Sequence, residues 1–150
     1  MKLRHIGIVV QNMEKMIDFY TTLFNEYEIV ADTIEQGKYI DNLLGVKDIK
    51  LRIIKIMNDY DSSIIELLSP INYKIDSLEK SMFRAGLTHI AFTVRHIEDL
   101  VRCLKKDCGA KFLSETQTNE NNTAKVVYCE DPEGNFIELV EEINVSTNTK

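Results

Sequence analysis

An α+β fold made of two tandem β-α-β-β-β modules is what this sequence predicts, on two observations. One is an internal repeat at an offset of 84 residues, and the other is a switch within each copy from strand-like to helix-like apolar spacing. His5-Ile6-Gly7-Ile8-Val9-Val10 aligns with His89-Ile90-Ala91-Phe92-Thr93-Val94, and Met13-Glu14-Lys15-Met16-Ile17 aligns with Ile97-Glu98-Asp99-Leu100-Val101. The first block of each pair is a β-rich apolar run. The second carries an apolar stripe at helical spacing, Met13, Met16, Ile17 and Tyr20 in one copy and Ile97, Leu100, Val101 and Leu104 in the other.

Each helix begins where a cap is needed. Asn12 is a favoured N-cap and its repeat partner His96 is not. Segments 27–34 and 49–57 read as strands of the first copy, and 111–115 and 124–130 as strands of the second. Each copy closes on an apolar run broken by one carboxylate, Ile64-Ile65-Glu66-Leu67-Leu68 and Phe136-Ile137-Glu138-Leu139-Val140. From histidine to glutamate the first copy spans 61 residues and the second 49. The surplus falls in 36–48, which contains Gly37, Gly45 and a short helical stretch at 39–44, a candidate lid. Residues 1–69 are thus the first module, 70–86 a linker in which 76–83 can form a short helix, and 87–143 the second module. Together 1–143 form one domain, and 144–150 reads as a frayed polar tail. Asp131-Pro132-Glu133-Gly134 is a tight turn that sets the register of the last strand.

Composition removes several classes of partner. With 44% hydrophobic and 28% charged residues, the chain has the makeup of a soluble globular protein. The net charge of −6 is dispersed, and no basic stripe is present to meet a nucleic-acid backbone. No apolar run reaches the ~18 residues that span a bilayer, and the N-terminus lacks a signal-peptide core, so no membrane is expected and the location read is cytoplasmic. Three cysteines without a Cys-x-x-Cys pair suggest neither a disulfide framework nor a thiolate zinc site; Cys103 and Cys129 read as buried thiols.

The chemistry lies in the repeat-equivalent polar residues. An ionised carboxylate inside an apolar strand is costly without a compensating cation or strong donors. One such glutamate is ordinary if it faces solvent from a one-sided sheet, and one histidine at a strand start is ordinary as a satisfied structural residue. Two of each at matching repeat positions are not ordinary, and two of only three histidines are involved. A pseudo-twofold repeat brings equivalent residues toward its axis, which makes His5, Glu66, His89 and Glu138 the candidate ligands of one divalent metal. Two nitrogens and two carboxylates suit Ni²⁺, Co²⁺, Zn²⁺, Mn²⁺ or Fe²⁺ and disfavour Cu(I). The third histidine, His96, falls beyond the strand and is assigned to the surface. Arg52 alternates with Leu51 and Ile53, so it faces either an anionic substrate or solvent, and solvent is the favoured reading.

These residues resemble the vicinal oxygen chelate superfamily, which includes glyoxalase I, methylmalonyl-CoA epimerase, extradiol dioxygenases and bleomycin or fosfomycin resistance proteins. The resemblance covers nearly the whole chain. It rests on Leu3-Arg4-His5-Ile6-Gly7-Ile8-Val9-Val10, Ile17-Asp18-Phe19-Tyr20, Gly86-Leu87-Thr88-His89-Ile90-Ala91-Phe92 and the stretch from Glu130-Asp131-Pro132-Glu133-Gly134 through Glu138-Leu139. It implies paired modules whose mixed sheets curl into a cup around the metal, with His5, Glu66, His89 and Glu138 in the ligand positions and a homodimeric assembly. The activity it implies is that of a lyase or isomerase of the glyoxalase I or epimerase type. Such an enzyme abstracts a proton next to the carbonyl of a small-molecule substrate, through an enediolate or enolate, with Glu66 and Glu138 as the candidate bases. Bacterial glyoxalase I commonly has an arginine four residues after its first ligand, where this chain has Val9, and the epimerase usually differs in the last hairpin. An Fe(II) extradiol dioxygenase using His5, His89 and Glu138 is the alternative enzyme, and a small-molecule binding or resistance protein without turnover is the alternative class.

Overall fold

A computed structural model describes residues 2–76 and 79–143. The chain divides into two compact units, Met1–Leu78 and Glu79–Lys150. In the first, β1 (Ile6–Val9) leads to α1 (Met13–Phe24), β2 (Tyr27–Gln36), α2 (Lys38–Leu44), β3 (Lys50–Asn58) and β4 (Ile64–Pro70). In the second, β5 (His89–Thr93) leads to α3 (Ile97–Asp107), the short β6 (Lys111–Phe112) and β7 (Gln117–Thr118), then β8 (Ala124–Glu130) and β9 (Phe136–Glu142). The architecture is the expected α+β repeat.

The two sheets share one topology. The first runs β1-β4-β3-β2 and the second β5-β9-β8-β6, with β7 also pairing β8. In both, the opening strand lies parallel to the closing strand, Gly7 beside Glu66 in one unit and Ala91 beside Glu138 in the other. The closing strand is antiparallel to its predecessor, which puts Lys55 opposite Glu66 and Tyr128 opposite Glu138. Cross-strand partners share a face, and successive residues alternate between faces. Each sheet is therefore divided into a helix-covered side and a side that carries the polar row.

The helix-covered side holds the core. In unit one, α1 buries Met13, Met16, Phe19, Tyr20, Leu23 and Phe24. Ile54, Ile56, Ile65 and Leu67 of β3 and β4 are at most 2% exposed, and each such side chain contributes roughly 1.5–3 kcal/mol of hydrophobic stabilisation. Unit two repeats the arrangement with Ile97, Val101 and Leu104 from α3 and Val127, Cys129, Ile137 and Leu139 from the sheet. Asn12 caps α1 through its side chain, which accepts from Lys15 N–H at 3.1 Å. His96 gives α3 no side-chain cap and sits in the left-handed region at φ 53°. The extra segment is clasped by Asp41, whose carboxylate accepts from the backbone N–H groups of Asp48 and Ile49, each at 3.0 Å.

Several expectations need correction. The strand read over 111–115 stops at Phe112, and a second short strand follows beyond that range at Gln117–Thr118; between them Ser114 and Gln117 both donate to the Glu115 carbonyl, local bonds that compete with the ladder. After β4, which ends at Pro70, Ile71 N–H bonds the Lys50 carbonyl, and Asn72 accepts from Lys50 N–H and donates to the Asp48 carbonyl. The helix read over 76–83 is absent from its described residues. Lys80 instead reaches Glu133 and Asn135, and Phe83 N–H turns back to Ser81 Oγ. Cys129 is buried as expected, but Cys103 is exposed, since α3 turns Val101 and Leu104 inward and leaves the intervening residues outside. The tail at 144–150 lies outside the described residues.

Candidate half-sites on the two sheets

Each unit assembles one imidazole and one carboxylate from opposite ends of its own sequence. Parallel pairing of first and last strands brings this about, since it sets a residue from the module's start beside one from its end. In unit one His5 Nε2 lies 3.6 Å from Glu66 Oε1, and in unit two His89 Nε2 lies 3.1 Å from Glu138 Oε2. Glu66 is 8% exposed and Glu138 half-buried, so neither is an ordinary solvent-facing strand glutamate. Thr88 Oγ1 lies 2.8 Å from His89 Nδ1, which orients the ring and leaves Nε2 to the carboxylate side.

The neighbours of the two carboxylates differ. Lys55 Nζ is 3.0 Å from Glu66 Oε2, so the two oxygens of Glu66 are divided between an ammonium and an imidazole. Tyr128 lies across from Glu138 and meets His89 edge to face, with ring centroids 5.3 Å apart. Burial first, and then its hydrogen bond to Glu138 and that group's negative charge, push the Tyr128 phenol above its ordinary range. Gly7 completes the first row, and a β-carbon there would approach Leu68 Cδ1 to 3.2 Å. The small residue leaves room beside Glu66.

These donors fit a divalent cation as half-sites. Neighbouring ligand atoms on a metal held at about 2.1 Å lie about 3 Å apart, close to the 3.1 Å and 3.6 Å separations found. Among the described residues no group of three or more His, Cys, Asp or Glu side chains is gathered in one place. Each unit thus brings together its own two of the four sequence-derived ligands.

Arg52 belongs to the other face. Its guanidinium makes two bonds to Asp32, at 3.1 and 3.0 Å, and one to Glu14 of α1 at 2.8 Å. That hydrogen bonding holds the Asp32 carboxyl below the usual carboxylate range. Lys55, three residues further along β3, is the cation that shares a row with a candidate ligand, and sequence reading passed it over, along with Tyr128. Counting by twos from an assumed cross-strand partner of each glutamate finds both.

Among the described residues no helix is long and apolar enough to cross a membrane. The family model described as "Glyoxalase/Bleomycin resistance protein/Dioxygenase superfamily" matches residues 2–139. Among solved structures, a glyoxalase family protein from Bacillus cereus aligns at 22% identity with a TM-score of 0.87, covering 95% of each chain. The fosfomycin resistance protein FosX from Listeria monocytogenes aligns at 17% identity and TM-score 0.64, covering 95% of this chain and 94% of its own. A glyoxalase family protein from Enterococcus faecalis aligns at 20% identity and TM-score 0.60, covering 93% and 97%. No curated protein matches the sequence.

Proposed function

The chain belongs to the Glyoxalase/Bleomycin resistance protein/Dioxygenase superfamily, and on that footing we propose that it is a divalent-metal-dependent lyase or isomerase acting next to a substrate carbonyl. The observation that carries this reading is the recurrence of one His–Glu pair at equivalent strand positions of both modules, 3.6 Å apart in one and 3.1 Å in the other. His5, Glu66, His89 and Glu138 would together hold one cation drawn from Ni²⁺, Co²⁺, Zn²⁺, Mn²⁺ and Fe²⁺. When bound, the cation supplies a Lewis acid that stabilises negative charge developing on the carbonyl oxygen.

The protein's part is to bind, dry and move a proton. A glutamate accepts the proton as the C–H bond breaks, the electron pair passes into the carbonyl to give an enolate or enediolate, and the same carboxylic acid returns the proton to product. Ile53, Met57 and Leu68 flank the Glu66 row by register. Arg52 takes no part, since Glu14 and Asp32 hold it on the helix-covered face. The reading includes a homodimer, checked by sedimentation equilibrium.

Metal content of the purified protein, compared with His5→Ala and Glu138→Ala, tests the proposal. Wild type should retain a divalent metal that both variants lose, and equal metal in all three would sink it. The metal-loaded protein is then assayed on methylglyoxal hemithioacetals, methylmalonyl-CoA, fosfomycin and catechols. Solvent deuterium entering the carbon beside the carbonyl marks proton abstraction, and dioxygen consumption marks the oxygenase instead.

A further inference from the structure

Thr88 stands immediately before the histidine of the second unit, with its Oγ1 2.8 Å from His89 Nδ1. The opposite ring nitrogen, Nε2, lies 3.1 Å from Glu138 Oε2. We propose that Thr88 is a positioning residue whose hydroxyl reverses its hydrogen bond to Nδ1 when His89 takes up a cation, so that the imidazole changes tautomer without leaving its place. The inference rests on the reading that His89 and Glu138 meet a metal, and it asks nothing of the first unit.

The reversal follows from what each group can donate. A neutral imidazole has one N–H donor and one bare nitrogen, and an ionised carboxylate only accepts. Facing Glu138 at 3.1 Å, Nε2 carries the proton, because a bare nitrogen there would set two lone pairs against each other. Nδ1 is then the acceptor, and the Thr88 O–H donates to it. To ligate a cation, Nε2 must present its lone pair, so the proton moves to Nδ1. Nε2 gives a proton to solvent and Nδ1 gains one, which leaves the ring neutral. The Thr88 hydroxyl serves both states, since it rotates from donor to acceptor about one bond. A backbone carbonyl or a carboxylate in that place only accepts, and would hold one tautomer alone. The ring need not turn, for Tyr128 packs edge to face against it with centroids 5.3 Å apart. In the first unit the repeat-equivalent residue is Arg4, whose guanidinium only donates and could serve only the other tautomer.

Imidazole proton–nitrogen NMR spectra of the full-length metal-free protein read the tautomer without turnover, at about pH 8, where an imidazole is ordinarily neutral. His89→Gln assigns the signals. His89 should carry its proton on Nε2 before metal is added and on Nδ1 once Zn²⁺ is bound. Thr88→Val keeps the side-chain shape and suits a strand as threonine does. It should mix the tautomers of the metal-free ring and weaken Co²⁺ binding, followed by visible absorption, roughly tenfold, the low end for a ligating histidine that loses its hydrogen-bond partner. Thr88→Ser should restore both. A metal-free His89 protonated on Nδ1, or a Thr88→Val protein equal to wild type in tautomer and in Co²⁺ affinity, overturns the role of Thr88 while the metal site stands. If Zn²⁺ leaves the His89 signals unmoved, the metal reading fails and the reversal with it.

Discussion

Glu141 on β9 caps α3 in place of His96: its two carboxylate oxygens accept the backbone N–H groups of His96 and Ile97 at 2.9 and 3.3 Å. A residue 45 positions downstream therefore supplies what the N-cap side chain does not. Replacing Glu141 with Ala should cost about 1 kcal/mol in urea unfolding, the ordinary value of a lost cap. Glu141→Gln, which keeps one acceptor, should cost less. Wild-type stability in both would mean the cap is dispensable.

His96 holds a left-handed backbone conformation, φ 53°, that glycine and asparagine adopt more readily. His96→Gly should therefore be neutral or stabilising by up to about 1 kcal/mol. It should also leave Co²⁺ affinity unchanged, because this imidazole is outside both half-sites. A loss of metal binding would restore His96 to the ligand set.

Arg52 bridges α1 to β2 through Glu14 and Asp32. The partners are partly exposed, so screening keeps the effect small, and Arg52→Met should cost about 1 kcal/mol without raising KM for an anionic substrate. The Asp32 carboxyl is depressed in the fold, chiefly by its hydrogen bond to Arg52. Its share of stability is thus present above the ordinary carboxylate range and lost as pH falls through the depressed value. The difference between wild type and Arg52→Met should shrink in acid, and a gap that persists unchanged would point to packing instead.

The cysteines should react in order of exposure. Cys103 is exposed, Cys108 intermediate and Cys129 buried, so an aromatic disulfide reagent at neutral pH should label Cys103 first and Cys129 only on unfolding. Burial, then Asp131 and Glu130, push the Cys129 thiol from 9.0 up to about 12. A raised folded value favours the protonated thiol, so its stability contribution is complete below 9.0 and lost as pH climbs toward about 12. Cys129→Ala should flatten that alkaline decline while costing about 1–2 kcal/mol of packing near neutrality.

Removing Asp131 should damage the final hairpin more than an ordinary turn substitution. Its buried carboxylate accepts from Glu133 N–H, Asn135 N–H and the Asn135 side-chain amide, at 2.9, 2.8 and 2.6 Å. Asp131→Ala should cost about 2–3 kcal/mol and loosen the register that delivers Glu138, seen as faster amide exchange along β9. Unaltered exchange there would show that the β8–β9 ladder holds itself.

The parts of this fold that repeat were legible in the sequence, and the parts that depend on partners across a sheet were not. Strand and helix periodicity located β1, α1, β5 and α3, and the matched His and Glu positions gave the candidate ligands, because period and duplication are properties of the chain itself. Lys55 and Tyr128 gain meaning only from register, which depends on which strand lies beside which. Arg52 attracted attention as a strand cation, yet three residues separate it from Lys55, an odd step that reverses its face. Cys103 was misread because it lies between the apolar Val101 and Leu104, which the helix turns inward, while Cys103 shares the outer side with Arg102.

The parallel pairing of β1 with β4, and of β5 with β9, also has a consequence for synthesis. A histidine made at the start of a module waits for the last strand before it meets its glutamate, a long-range contact whose loop must close late in folding. Neither half-site can exist on a nascent chain until its own module is complete, but the first can form while the second is still being translated. A product truncated after the first module would carry the first His–Glu pair alone.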